Sequence, residues 1–162
     1  MAPLREEDAD ILYRWITDRE LVLLNSRFDP PTREEHQRWF DAIRSGDGSE
    51  IFGVRLAADD TLIGSCQLHS IDHEHRKAEL QIRIGEREAW GRGYGTEAVQ
   101  LLVRHAFDDL DLHRVHLHVF ATNERAVRAY EKAGFRAEGT LRDDARIDGR
   151  YVDVLVMATL RS

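Results

Sequence analysis

Three glycines alternate in Trp90-Gly91-Arg92-Gly93-Tyr94-Gly95-Thr96. Residues without a Cβ let consecutive backbone N–H groups converge on one anion. The stretch lies between an alternating run ending at Ile84 and an amphipathic run starting at Thr96, so its amides also meet the positive end of a helix dipole. The chemistry is pyrophosphate binding, with Gly91, Gly93, Tyr94, Gly95 and Thr96 offering backbone donors and Arg92 a charge. No Gly-Lys-Ser/Thr closes the loop and no third glycine follows the second at the dinucleotide spacing, which excludes those two nucleotide motifs. Taken alone, the segment also fits a glycine turn with no ligand.

A second chemical segment is Asn123-Glu124-Arg125-Ala126-Val127-Arg128-Ala129-Tyr130-Glu131-Lys132-Ala133-Gly134. Asparagine is a favoured helix N-cap. At about 100° and about 1.5 Å per residue, Asn123, Ala126 and Tyr130 share one line, with the amide and the phenol roughly 10 Å apart. An extended ligand could lie along it; a core tyrosine with a satisfied hydroxyl is the plainer reading.

The elements that must position these groups follow from periodicity. Residues 7–17 carry Ala9, Leu12, Trp15 and Ile16 at helical spacing, and Thr32 with Glu35 forms a capping-box pattern opening a helix to about Arg44. Ser45-Gly46-Asp47-Gly48 breaks to extended chain. Ile51–Ala57 and Thr61–His69 flank Ala58-Asp59-Asp60 as a hairpin, and 78–84 alternates Leu80, Ile82, Ile84 against Glu79, Gln81, Arg83. An amphipathic helix covers 96–110, a strand 113–120, a helix from Asn123 stopped by Gly134, and strands 135–141 and 151–160. Interspersed helices and strands predict one domain over 1–162, a three-layer α/β/α arrangement around a mixed sheet.

The 162 residues include 30 acidic and 23 basic ones, a net charge of −7. That field repels phosphate backbones, so nucleic acid is excluded as a partner, and it mildly favours cationic substrates. No apolar run approaches the roughly 20 residues of a membrane span, and residues 1–7 lack a signal-like apolar stretch, which predicts a cytoplasmic location. Cys66 sits in an alternating apolar run and reads as core rather than nucleophile. His113, His116 and His118 lack supporting thiolates or a carboxylate pattern, so no metal is expected.

The strand, glycine loop and helix over 79–107, followed by strand and Asn123–Phe135, resemble the two cofactor-binding motifs of the GNAT superfamily of N-acetyltransferases. The tail from Glu138-Gly139-Thr140-Leu141-Arg142 through Asp148-Gly149-Arg150-Tyr151-Val152-Asp153 to Met157 resembles the branch holding ribosomal-protein N-terminal and spermidine acetyltransferases. The resemblance implies acetyl-CoA as cosubstrate, in a cleft where strand 78–84 splays from strand 113–120. The pantetheine would pair with backbone at Ile82, Arg83 and Ile84, the pyrophosphate with 92–96, and Asn123 would reach the pantetheine arm. Trp90 stands where the family loop usually opens with Gln or Arg, and the first family strand is nearly absent.

Acetyl transfer to a primary amine requires a deprotonated nucleophile. The resemblance makes Glu79 the candidate base, a solvated strand-edge glutamate being the alternative, and Tyr130 the acid that protonates the leaving thiolate. A backbone N–H near Ile84 would hold the oxyanion. Direct transfer is expected, without an acyl-Cys66 step. His36, His69 and Asp153 are lesser candidates; Asp143, Asp144 and Asp148 could line a polyamine entrance or form a solvated acidic hairpin. The segment 21–40 should wall the acceptor pocket, and the acceptor stays open between a small-molecule amine, amino sugar, amino acid or protein N-terminus. A non-catalytic acetyl-CoA sensor would require loss of Tyr130 or a blocked cleft. A homodimer through exposed β-edges is a further expectation.

Overall fold

The computed structural model describes residues 1–46 and 48–162; Asp47, within the expected break at 45–48, lies outside the described residues. In chain order the strands are β1 (Ala2–Pro3), β2 (Glu50–Arg55), β3 (Leu62–Asp72), β4 (Lys77–Ile84), β5 (Arg114–Phe120), β6 (Arg136–Ile147) and β7 (Arg150–Leu160). The helices are α1 (Asp8–Ile16), α2 (Arg19–Val22), α3 (Arg33–Arg44), α4 (Tyr94–Asp108) and α5 (Glu124–Lys132). One mixed sheet runs β1-β2-β3-β4-β5-β7-β6. Only the central β4–β5 pair is parallel, as a strand–helix–strand crossover through α4 requires.

Two apolar clusters flank the sheet. Val99, Leu102, Val103 and Ala106 of α4 pack with Tyr130 of α5 onto Leu80, Val115 and Leu117. Leu12 and Trp15 of α1, Leu21 of α2 and Phe40 and Ile43 of α3 form the second, against Leu4 and Leu62. This is the expected three-layer α/β arrangement. The capping box of α3 is complete, Thr32 Oγ1 accepting from the Glu35 amide (3.2 Å) and Glu35 Oε2 from the Thr32 amide (2.7 Å).

Three features depart from the sequence reading. α2 is a single capped turn, Asp18 Oδ1 accepting from the Leu21 amide at 3.1 Å; four residues are too few to show periodicity. β6 continues past Leu141 to Ile147, because register shifts at Ala137/Gly139 and Leu141/Ala145 absorb the extra residues and hide the alternation. The fully buried Asp8 pairs with Arg55, two oxygens at 2.5 and 2.6 Å from one guanidinium nitrogen, binding the start of α1 to the end of β2. The first strand is short as expected, pairing only Ala2 with Gly53 and Pro3 with Phe52.

Candidate active site

β4 and β5 pair over Lys77↔Arg114, Ala78↔Val115 and Glu79↔His116, and no further pair joins them among the described residues. Beyond that point β4 stays with β3 to Ile84 and β5 stays with β7 to Phe120. The strands part, leaving residues 80–84 without a β5 partner. A cleft of about 530 Å³ opens in the gap, within the size range of small-molecule sites. Ile82, Arg83 and Ile84 line it, as do Gly91, Gly93, Tyr94, Gly95 and Thr96, Asn123 and Tyr130.

The loop is built as its composition requires. Gly91 and Gly93 have φ of 72° and 85°, and Gly93 is the left-handed N-cap of α4. A Cβ on either would meet nothing within 4 Å, so their backbone geometry, rather than crowding, calls for glycine. Gly95 instead lies in the first turn of α4. Trp90 anchors the loop: its Nε1 donates to the Ile84 carbonyl at 2.8 Å, and the Arg125 guanidinium stacks 3.6 Å from its ring centroid. Arg92 is exposed and outside the cleft lining. The cations that line it are Arg83, Arg125, Arg128 and Lys132, and among the described residues no Asp or Glu does.

On α5, both ends of the Asn123 amide are engaged. Oδ1 accepts from the Ala126 amide (3.3 Å) as the N-cap, and Nδ2 donates to the Leu24 carbonyl (3.2 Å), tying α5 to the chain after α2. Asn123 therefore borders the ligand track mainly as a clamp. Tyr130 packs 6.0 Å from Phe135, and burial pushes its phenol up to about 12, so it stays protonated at neutral pH. Among the described residues no group hydrogen-bonds its hydroxyl.

Glu79 does not itself line the cleft; His118 does. The half-buried Glu79 carboxylate lies 2.8 Å from His118 Nδ1 and 4.0 Å from His116 Nε2. Desolvation lowers the His116 pKa, opposed by Glu79, and its Nδ1 is buried without a partner. Sequence reading considered His116 and His118 only as metal ligands and so missed the pair. Alternation puts them on one face; that Glu79 meets them follows from the parallel register alone. Among the described residues no group of three or more His, Cys, Asp or Glu stands ready for a metal.

Cys66 is 1% exposed and burial pushes its thiol up to about 12, which suits core and disqualifies a nucleophile. His36 is buried among Tyr13, Trp39 and Phe40, His69 contacts Ser70, and Asp153 accepts from the Asp143 amide; none of the three lines the cleft. Asp148 is paired with Arg19. Leu21, Leu24 and Asn25, from the segment 21–40, line the cleft. Arg125, Arg128 and Lys132 were not picked out beforehand; their spacing puts them along the helix but only the tertiary fold turns them to the cleft.

A parallel strand pair that parts beside a glycine loop, with cations and, among the described residues, no carboxylates in the gap, defines an α/β domain shaped for an anionic, phosphate-bearing ligand. Residues 1–136 match the acetyltransferase (GNAT) domain family, and the chain belongs to it. It is 32% identical over 160 residues to the uncharacterized N-acetyltransferase p20 of Bacillus licheniformis, spanning 96% of this chain and 88% of that one. It is 29% identical over 154 residues to the spermidine N(1)-acetyltransferase of Escherichia coli K12, spanning 94% and 75%. The crystal structure of spermidine N-acetyltransferase from Vibrio cholerae in complex with CoA and spermine superimposes with a TM-score of 0.89 at 30% identity, covering 98% of this chain and 92% of that one. The chain is an acetyl-CoA-dependent N-acetyltransferase that acts on an amine. Tyr130 is in place and the cleft is open, so neither mark of a non-catalytic sensor is present.

Proposed function

We propose that residues 1–162 work as a single acetyltransferase domain that acetylates the primary amine of a small molecule, by direct transfer in the gap between β4 and β5. The observation that carries this reading is the arrangement of His118 and Tyr130, an acceptor and a donor of protons that both line one cleft.

The loop amides of Gly91–Thr96, with Arg125, Arg128 and Lys132, would hold the phosphates of acetyl-CoA, and the free edge of Ile82–Ile84 its pantetheine. Acetyl-CoA supplies an activated thioester. His118 Nε2 would take the proton from the attacking amine while Glu79, behind Nδ1, fixes the ring's tautomer. Glu79 thus acts through His118. As the new C–N bond forms, a backbone N–H near Ile84 would stabilise negative charge on the carbonyl oxygen. As the C–S bond breaks, Tyr130 would give its proton to the departing sulfur. The phenol recovers a proton from solvent and His118 releases one.

A cytoplasmic setting, where acetyl-CoA is made and used, and a homodimer formed along the open edge of β6 belong to the same reading. The second acceptor class is a protein N-terminus. The test is thiol release from acetyl-CoA with small amines and with peptides, the product identified by mass. Acetylated small amines are expected. Acetylation of peptides alone would move the acceptor to protein N-termini, and acetyl-CoA binding without transfer to either class would overturn the catalytic assignment.

A further inference from the structure

Next to the main cleft lies a second cavity of about 120 Å³ between β3–β4 and the helices α1 and α3, walled by Leu12, Ile16, Trp39, Ile51, Ser65 and Gln67. Asn25, Gln81, Ile82 and Arg83 line both cavities, so the two are contiguous on the acceptor side of β4. Cavities of roughly 150 Å³ hold one benzene ring. This one therefore admits a group of a few heavy atoms at the end of an acceptor, and not an aminoglycoside.

Two polar atoms at this junction lack partners. Arg83 Nε is buried with no hydrogen bond, and so is Asn25 Oδ1. Arg83 makes no ion pair among the described residues, although arginine remains charged in proteins. A half-buried arginine whose Nε is sealed from solvent and has no anion beside it is unusual, because such groups are normally paired. Glu79, Glu86, Asp18 and Asp148 each have other partners: Glu79 pairs with His118, Glu86 with Arg14 and Trp15, Asp18 with Arg87, and Asp148 with Arg19. Among the described residues neither cavity is lined by an Asp or Glu, in a chain of net charge −7. A polyamine would bring several positive charges into a space whose only fixed charges are positive. An acceptor bearing an anion would complete it.

We infer that the acceptor of this acetyltransferase is an amine that also carries a carboxylate, such as a small amino acid, its carboxylate seated on Arg83 and its amine near Asn25 Oδ1. This rests on the transferase reading above and narrows its substrate class. Arg83 is then a specificity-determining residue, its fork matched to a carboxylate.

The test is thiol release from acetyl-CoA with the common amino acids and 4-aminobutyrate, each against its neutral primary amide, with spermidine alongside. At least one acid is expected to exceed its amide by roughly 10-fold to 100-fold in kcat/KM, the range of a hydrogen bond to a charged group. Arg83→Gln should erase that preference by slowing the acid far more than its amide, and Arg83→Lys should restore part of it, which a folding defect would not do. Transfer to spermidine or the amides at equal or better rates, unchanged in Arg83→Gln, overturns the inference and leaves the transferase standing. Acetyl-CoA binding by calorimetry with no transfer to any of these acids also overturns it. No transfer to any amine together with no acetyl-CoA binding removes the transferase reading itself.

Discussion

Nδ1 of His118 lies 2.8 Å from Oε1 of Glu79 just past the point where β4 and β5 cease to pair. The carboxylate holds Nδ1 of a ring that lines the cleft, so the two should act as one unit. His118→Ala and Glu79→Gln should each lower kcat/KM, His118→Ala by roughly 100-fold or more. The double variant should be little slower than His118→Ala, since groups acting in series are not additive. Steady-state kinetics on the four proteins checks this; multiplied effects would make the two residues independent.

Trp90 and Arg125 join the loop to the helix that crosses it, the guanidinium 3.6 Å from the ring centroid. Arg125→Ala removes that stacking and one of the cleft's cations, and should weaken acetyl-CoA binding about tenfold or more, most at low salt. Trp90→Phe keeps a ring but loses the bond to the Ile84 carbonyl. Calorimetric titration should show a smaller loss in Trp90→Phe than in Arg125→Ala; equal affinity in all three proteins would remove the loop–helix coupling.

Asn123 has two separable jobs. Asn123→Ala should cost about 1 kcal/mol for the lost cap, a few degrees in Tm for a chain of this size, and should raise KM for acetyl-CoA by freeing the Leu24 segment. Asn123→Asp keeps the acceptor that caps Ala126 and loses the donor to Leu24. Its melting temperature should stay near the parent's while KM still rises. Identical behaviour of the two variants would merge the roles.

Burial holds the pKa of His36 below the ordinary value of about 6.5, and that of His116 likewise. As pH falls below 6.5 the unfolded chain takes up protons before the folded one. Stability is thus fully present above 6.5 and declines as pH drops toward the lowered folded values. Thermal melts from pH 8 to about pH 5.5 should show this decline, and His36→Leu should flatten it, since His36 sits among Tyr13, Trp39 and Phe40. An unchanged slope in that variant would place the proton uptake elsewhere.

Much of the frame was readable because it depends on local chemistry. The Thr32–Glu35 box, the alternation of 78–84 and the glycine loop each carry their reason within a few residues. The cleft lining was readable at Ile82–Ile84, at Gly91, Gly93, Tyr94, Gly95 and Thr96, and at Tyr130 through the family motif. The site was not readable where it depends on register. Glu79 meets His118, thirty-nine residues away, only because β4 and β5 run parallel with Glu79 opposite His116. Arg92 looked like the loop's charge, yet the cations facing the cleft come from β4 and α5. Asp8 and Arg55, forty-seven residues apart, gave no pattern at all.

The most direct measurement is single-turnover acetyl transfer by Tyr130→Phe beside the parent protein, with acetyl-CoA affinity measured on both. The buried phenol, held protonated by a pKa of about 12, lines the gap from α5. The predicted result is a transfer rate lower by roughly 100-fold to 10,000-fold at unchanged affinity. An unchanged rate would contradict protonation of the leaving sulfur by Tyr130 and, with it, the assignment of this cleft as the place where the acetyl group moves.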